Sequence, residues 1–387
     1  MRNSIFNNTG LITPAYVYDQ EQIITVLERL ADLNQRTGCM PLYSIKSANI
    51  IGLLEVIKPY VKGFSCSSLF EVQLAKEILD DDQTIHITTP GYRDDEWQDV
   101  ITQSDFITLN SLSQWQRVAK KVNTNASCGI RINPELSFVK DERYDPCRQD
   151  SKLGITLEQI ANVDSFVNSL DEFDWQDIEG LHIHNNCESN NFNDLKRSIE
   201  RVMQGMSVYK PNLKWINLGG GYYLNNETDL TPLEDTVKWL QDEFNVTVYI
   251  EPGKGVTGEA GYLVATVIDL IDSKNKKIAV LDTTINHLPE VFEYQYQPEV
   301  MQTIEQSEHE YRLVGCSCLS GDLFGDYFFS SPLELGSRIV FENIGAYMHV
   351  KANMFNGINL PATYLLDREE DFKLIKQYDY ESFHSRL

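Results

Sequence analysis

The chain has 387 residues, with 33 Lys and Arg against 57 Asp and Glu, a formal net charge of −24. Hydrophobic residues make up 42% and charged residues 23%, ordinary values for a folded globular chain, so disorder is excluded as the main state. The acidic balance argues against nucleic acid as a partner, because phosphates need clustered Lys and Arg, and it suits a cationic small molecule instead.

In chain order, ITPAYVYD (12–19) reads as a strand and residues 20–36 as a helix. Residues 1–40 are expected to join a second domain rather than the first. From residue 42, β-rich runs recur in steps of 21 or 22 residues: LYSIKS at 42, GFSCSS at 63, IHITT at 85, FITLN at 106 and CGIRIN at 128. Helical patterns such as LFEVQLAKEIL (69–79) and LSQWQRVAKKV (112–122) lie between them. Three further strands follow at wider steps, IEGLHIHNN (178–186), WINLGGG (215–221) and VTVYIEPG (246–253). Eight strands alternating with helices predict an α/β fold with a closed (β/α)8 barrel over residues 41–254. After residue 255 the runs YLVATVIDLIDS, KKIAVLDTTI, YRLVGCSC and SRIVFENIGAY have few long helices between them. They predict a mainly antiparallel β domain over 255–387. The start, MRNSIFNNTG, has no apolar h-region, and no run approaches the roughly 18 apolar residues of a membrane span. Seven scattered Cys with no CxxC pair fit free thiols in the cytoplasm better than a disulfide framework.

In a barrel, reactive groups sit where strands end and βα-loops begin. Here those ends offer Lys46, His184, the run Gly219, Gly220 and Gly221, and Glu251. An amine to form a Schiff base, glycines whose N–H groups approach a phosphate, and a carboxylate for a pyridine nitrogen together suit pyridoxal 5′-phosphate. His182 shares the face of His184 by strand alternation and reads as a hydrogen-bonded barrel histidine. The sequence His182-x-His184 with Cys187 and Glu188 also imitates a metal site. The other strand ends lack the further ligands that a metal-dependent hydrolase needs, so no metal is expected.

Seven segments in order carry a resemblance: YSIKS, SFVKDERYDPCRQDSKLGI, GLHIHNNCE, NLGGGYYL, EPGKGVTGEAGYL, CSCLSGD and AYMHVKANMFNG. They resemble the fold type III (alanine racemase-like) pyridoxal phosphate decarboxylases, and within them the branch acting on carboxynorspermidine and carboxyspermidine. The resemblance implies a barrel plus β domain and a homodimer with shared active sites. It implies a Schiff base on Lys46, stacking by His184, a pyridine-nitrogen contact by Glu251 and phosphate contacts by Gly219–Gly221 and Tyr347. It further implies that Cys318 and Asp322 reach into the neighbouring site, Cys318 handling the proton that replaces the lost carboxylate. His287, in a surface loop, corresponds to a position near the substrate, and Glu251, His287 and Asp322 are the expected substrate contacts. Glu188 is a second carboxylate for a polyamine tail.

Departures from the wider family bear on the substrate. Diaminopimelate decarboxylases, the alternative reading, carry HIGSQ where this chain has His184-Asn185-Asn186-Cys187-Glu188, and CESGD where it has Leu319 for the glutamate. They carry EPGR where it has Lys254, a point charge in place of a bidentate fork. A single-domain cofactor-homeostasis protein would lack residues 255–387, and a racemase would use a tyrosine as second base.

Overall fold

A computed structural model describes residue 5 and residues 10–119, 126–163, 175–209 and 211–387. The chain divides into two compact units, one formed by Thr25–Lys46 and Leu54–Val256, the other by Met1–Ile24, Ser47–Leu53 and Thr257–Leu387. The helix Gln20–Thr37 is therefore split: its first turn goes with the second unit and the remainder with the first.

The first unit is a closed parallel barrel. Its strands are β2 (Met40–Ser44), β3 (Gly63–Cys66), β4 (Thr84–Thr88), β5 (Phe106–Leu109), β6 (Ser127–Asn133), β8 (Gly180–His182), β9 (Trp215–Asn217) and β10 (Thr247–Ile250). Each pairs in parallel with the next, β10 returns to β2, and a short β7 (Ile155–Thr156) adds beside β6. Helices at 51–57, 69–78, 97–103, 112–119, 157–161, 193–206 and 231–244 alternate with the strands. The expected helix at 112–122 is seen to Ala119; its last residues lie outside the described ones.

Large side chains fill the barrel floor. Trp215, Leu42 and Tyr249 pack together with Phe106 beside them, and the buried His86 ring stacks on Phe106 at 4.1 Å. Two glycines make room for Trp215: a Cβ on Gly180 would meet its ring at 2.0 Å and one on Gly129 at 2.5 Å. Two residues further along the same strands, alternation replaces this floor with polar groups: Trp215 gives way to Asn217, Tyr249 to Glu251, Gly180 to His182 and Gly129 to Arg131. Apolar matter closes the barrel at one end and polar groups collect at the other.

The second unit is an eight-stranded, mainly antiparallel sheet. β1 (Ala15–Asp19) lies between β11 (Gly261–Asp272) and β16 (Ala362–Leu366), antiparallel to the first and parallel to the second. β12 (Lys277–Leu281), β13 (His309–Val314), β14 (Leu323–Phe329), β15 (Arg338–Phe341) and β17 (Phe372–Lys376) complete it. A core of Ala15, Val17, Tyr262, Val264, Val340, Ala362, Tyr364 and Leu366 explains why this N-terminal strand belongs here. Among the described residues no helix is long and apolar enough to cross a membrane.

Candidate active site

Glu251 follows β10, is buried, and accepts from side chains of two neighbouring strands. Asn217 Nδ2 reaches Glu251 Oε1 at 2.8 Å, and His182 Nε2 lies 3.3 Å from Oε2. Asn217 Oδ1 in turn takes the N–H of Gly219 at 2.9 Å, while the Glu251 N–H donates to the Gly219 carbonyl at 2.8 Å. Burial alone would raise the carboxyl pKa of Glu251. His182, the positive charge of Lys46 and the Asn217 amide overcome it and hold the group ionised, below the usual carboxylate range.

Lys46 stands just past the end of its strand. β2 ends at Ser44, and Lys46 lies in a single 3-10 turn, Ile45–Ser47, between buried neighbours but with its own side chain exposed. The amine is thus presented at the strand tip rather than buried in the wall. Its charge acts through space on Glu251, His182, His184 and Glu71. Glu71, in the first turn of helix 69–78, accepts the Ser67 N–H at 2.6 Å; its burial raises its pKa against that bond and Lys46.

His184 accepts the N–H of Gly220 at its Nδ1, 3.0 Å away. Burial first, then the charges of Arg131 and Lys46, push its pKa well below the ordinary histidine value. The ring is therefore neutral and carries its proton on Nε2. The three glycines have no room for side chains. A Cβ on Gly219 would meet His184 at 2.8 Å, one on Gly220 the Glu251 carbonyl at 2.2 Å, and one on Gly221 the Asn186 carbonyl at 2.1 Å. The N–H groups of Gly219 and Gly220 are spent internally, so among the described residues only Gly221 of the three keeps its donor without an acceptor.

Arg131 on β6 and Asn217 on β9 belong to this constellation, and motif reading missed both. Arg131 is 8% exposed; burial lowers its pKa to about 10, against the pull of Glu251. Asn217 ends β9 and Arg131 lies two residues before the end of β6, both at inward positions, a signal available from alternation alone. Lys254 and Glu188 form an ion pair with each other, and Tyr223 OH also donates to Glu188. Glu188 is thus already neutralised by a cation, and Lys254 is drawn to that carboxylate.

The remaining expected residues lie in the second unit. His287 is not a surface-loop residue: it is 0% exposed, with Nδ1 2.9 Å from Thr283 Oγ1, and burial lowers its pKa to about 3. Asp322 is buried and its carboxylate is taken up by its own unit. It accepts Ile285 N–H at 2.6 Å, Ser317 N–H at 2.9 Å and Ser317 Oγ at 2.5 Å. It therefore ties the turn at 316–321 to the loop of His287, and only one acceptor site, on Oδ1, is left for the expected substrate contact. Cys318 is exposed at the tip of that turn, with its N–H on Asn356 Oδ1 at 2.9 Å. Tyr347 has a left-handed backbone (φ 62°), a costly conformation for an aromatic residue, and its N–H donates to the Ser47 carbonyl at 2.8 Å. The structure thus gathers Lys46, His184, Gly219–Gly221 and Glu251 in the barrel unit and joins Asp322 to the His287 loop in the other.

Comparison with known proteins accords with this arrangement. The family described as pyridoxal-dependent decarboxylase, pyridoxal binding domain, matches residues 22–258. A carboxynorspermidine/carboxyspermidine decarboxylase of Campylobacter jejuni is 33% identical, with 97% of this chain and 98% of the relative covered. A carboxyaminopropylagmatine decarboxylase of Synechocystis is 32% identical over 98% of this chain and 96% of the relative. The crystal structure of a carboxynorspermidine decarboxylase complexed with norspermidine, from Campylobacter jejuni, superposes with a TM-score of 0.86 at 31% identity. It covers 97% of this chain and 100% of that one.

Proposed function

The chain belongs to the pyridoxal-dependent decarboxylases, and on that premise we propose that it releases carbon dioxide from a carboxylated polyamine, carboxynorspermidine or carboxyspermidine, in polyamine biosynthesis. The observation that carries the substrate is the near full-length similarity to a decarboxylase of those two compounds. The enzyme is a pyridoxal 5′-phosphate-dependent carboxy-lyase, and its residues fit that cofactor. Three glycines are packed so closely that no Cβ fits, beside a buried carboxylate kept ionised and an exposed amine at a strand tip.

When bound, the cofactor supplies an electron sink for the electron pair left by the departing carboxylate. Lys46 would hold it covalently, and Glu251 would meet its ring nitrogen. His184 would face its ring, and Gly221 N–H, with Tyr347, would contact its phosphate. Gly219 and Gly220 hold the shape of the cradle, their own N–H groups being engaged. Cys318, on an exposed turn, suits a homodimer in which that turn completes the site of a second copy. Its thiol would deliver the proton that takes the place of the lost carboxylate and regain one from water. Asp322 serves by holding this turn, and His287 by its place in the loop that Asp322 anchors. The seven free thiols suit a cytoplasmic setting.

The test measures carbon dioxide release from carboxynorspermidine, carboxyspermidine and carboxyaminopropylagmatine, with diaminopimelate, ornithine and arginine as controls. Fastest turnover of one of the first two supports the proposal. Fastest turnover of carboxyaminopropylagmatine moves the substrate to the guanidinium-ended compound, and fastest turnover of diaminopimelate refutes a polyamine substrate.

A further inference from the structure

One histidine beside Glu251 has no role in the proposed reaction. His182 is 1% exposed, and its ring lies parallel to that of His184, at 4° and 6.5 Å between centroids, as residues two apart on one strand do. Its Nε2 faces Glu251 at 3.3 Å, while Nδ1 finds no partner among the described residues. A buried imidazole with one unmatched nitrogen costs more than a leucine of similar size would, so filling the barrel does not explain it. Five other groups act on His182 or Glu251: Lys46 after β2, Cys66 on β3, His86 on β4, Arg131 on β6 and His184 after β8. Burial and the nearby charges of Arg131 and Lys46 oppose a proton on both His182 nitrogens, even against the pull of Glu251. An ionised carboxylate only accepts, so the single ring proton facing it sits on Nε2.

We propose that His182 is a positioning residue for Glu251. Its neutral Nε2–H holds one carboxylate oxygen while Asn217 holds the other, so that Glu251 stays ionised and turned toward the ring nitrogen of the cofactor. The proposal rests on the assignment of Glu251 to that nitrogen. Without the histidine donor one carboxylate oxygen loses its partner, the proton affinity of Glu251 rises, and its hold on the ring nitrogen weakens.

His182→Leu removes the donor and keeps the bulk, whereas His182→Gln keeps an N–H near the place of Nε2. Both holoenzymes, with Glu251→Gln beside them, are followed by visible absorbance against pH, by kcat and KM, and by affinity of the apoproteins for added pyridoxal phosphate. For His182→Leu we expect kcat to fall about 10- to 100-fold with KM within about threefold of wild type. Its cofactor affinity falls about tenfold, and the acid limb of the absorbance titration rises by about one pH unit. His182→Gln recovers most of each loss. Wild-type values for His182→Leu, or equal impairment of both variants, overturn the proposal. Should the leucine variant fail to fold, nitrogen-15 spectra of wild-type histidines decide. A neutral Nε2–H form for the resonance lost in His182→Gln supports the proposal, and an Nδ1–H form or an imidazolium refutes it. If Glu251→Gln leaves absorbance and kcat unchanged, the assignment of Glu251 fails. If it impairs both while His182→Leu does not, the His182 proposal alone fails.

Discussion

Two carboxylates from matched motifs, Glu251 in the barrel and Asp322 in the antiparallel unit, are both buried and are held in opposite ways. Glu251 accepts from two side chains, Asn217 and His182. Asp322 accepts from two backbone N–H groups, of Ile285 and Ser317, and from the Ser317 hydroxyl. A carboxylate offers about four lone-pair sites, so Glu251 keeps room for a further donor while Asp322 is nearly full. The donors decide which group serves chemistry and which serves shape; the motif letter does not.

Substitutions test that difference. The largest effect is expected at the amine whose charge acts on Glu251: Lys46→Ala should purify colourless and show no decarboxylation. Mixed with inactive Cys318→Ala subunits it should regain part of the activity, because one site per hybrid dimer is intact. No recovery despite demonstrated subunit exchange would argue that each chain works alone.

Glu251→Gln should keep the cofactor yet lose about 10- to 150-fold in kcat, on the scale of one buried charge-assisted hydrogen bond of roughly 1.5–3 kcal/mol. Near wild-type turnover would put Glu251 in the same class as Asp322.

Asp322→Ala should act on stability first. It leaves two backbone donors unmatched at about 1–3 kcal/mol each, so denaturant titration should show a loss of roughly 2–6 kcal/mol. Unchanged stability with a raised KM would return Asp322 to the substrate.

Much of this was legible in the chain. Five runs at steps of 21 or 22 residues and three at wider steps gave eight strands that close, and the strand ends named Lys46, His184, the glycines and Glu251. Less legible was who bonds to whom. His182 and Glu251 are 69 residues apart in sequence, and Asn217 and Glu251 are 34 apart, so closure of the barrel makes those pairs and no local pattern announces them. The burial of His287 and the internal bonds of Asp322 follow from the packing of loops around β12, β13 and β14. β14 itself, in LFGDYFF, went unread because its glycine and charge interrupt the alternation. The 3-10 turn that carries Lys46 past the end of β2 at Ser44 has no mark of its own in YSIKS.

The smallest expected effect is shared by the two units. Burial lowers the pKa of His86 in the barrel and of His287 in the antiparallel unit to about 3, from an ordinary 6.5. The unfolded chain therefore binds more protons below pH 6.5. The stability that each histidine contributes is full above that pH and is lost as pH falls, by about 2 kcal/mol each between pH 7 and 5. The depression of Glu251 shows only below about pH 4.5, where free carboxyls titrate. Denaturant titration of His287→Gln should show a shallower loss between pH 7 and 5 than wild type. An equal slope would mean that this imidazole is not buried neutral.

The most direct measurement is reduction of the holoenzyme with borohydride, followed by digestion and mass spectrometry of the peptides. A phosphopyridoxyl group should be found on the peptide holding Lys46, as the strand-tip amine in the field of Glu251 and His184 requires. Its attachment to Lys254, to Lys351 or to any other lysine would contradict the assignment.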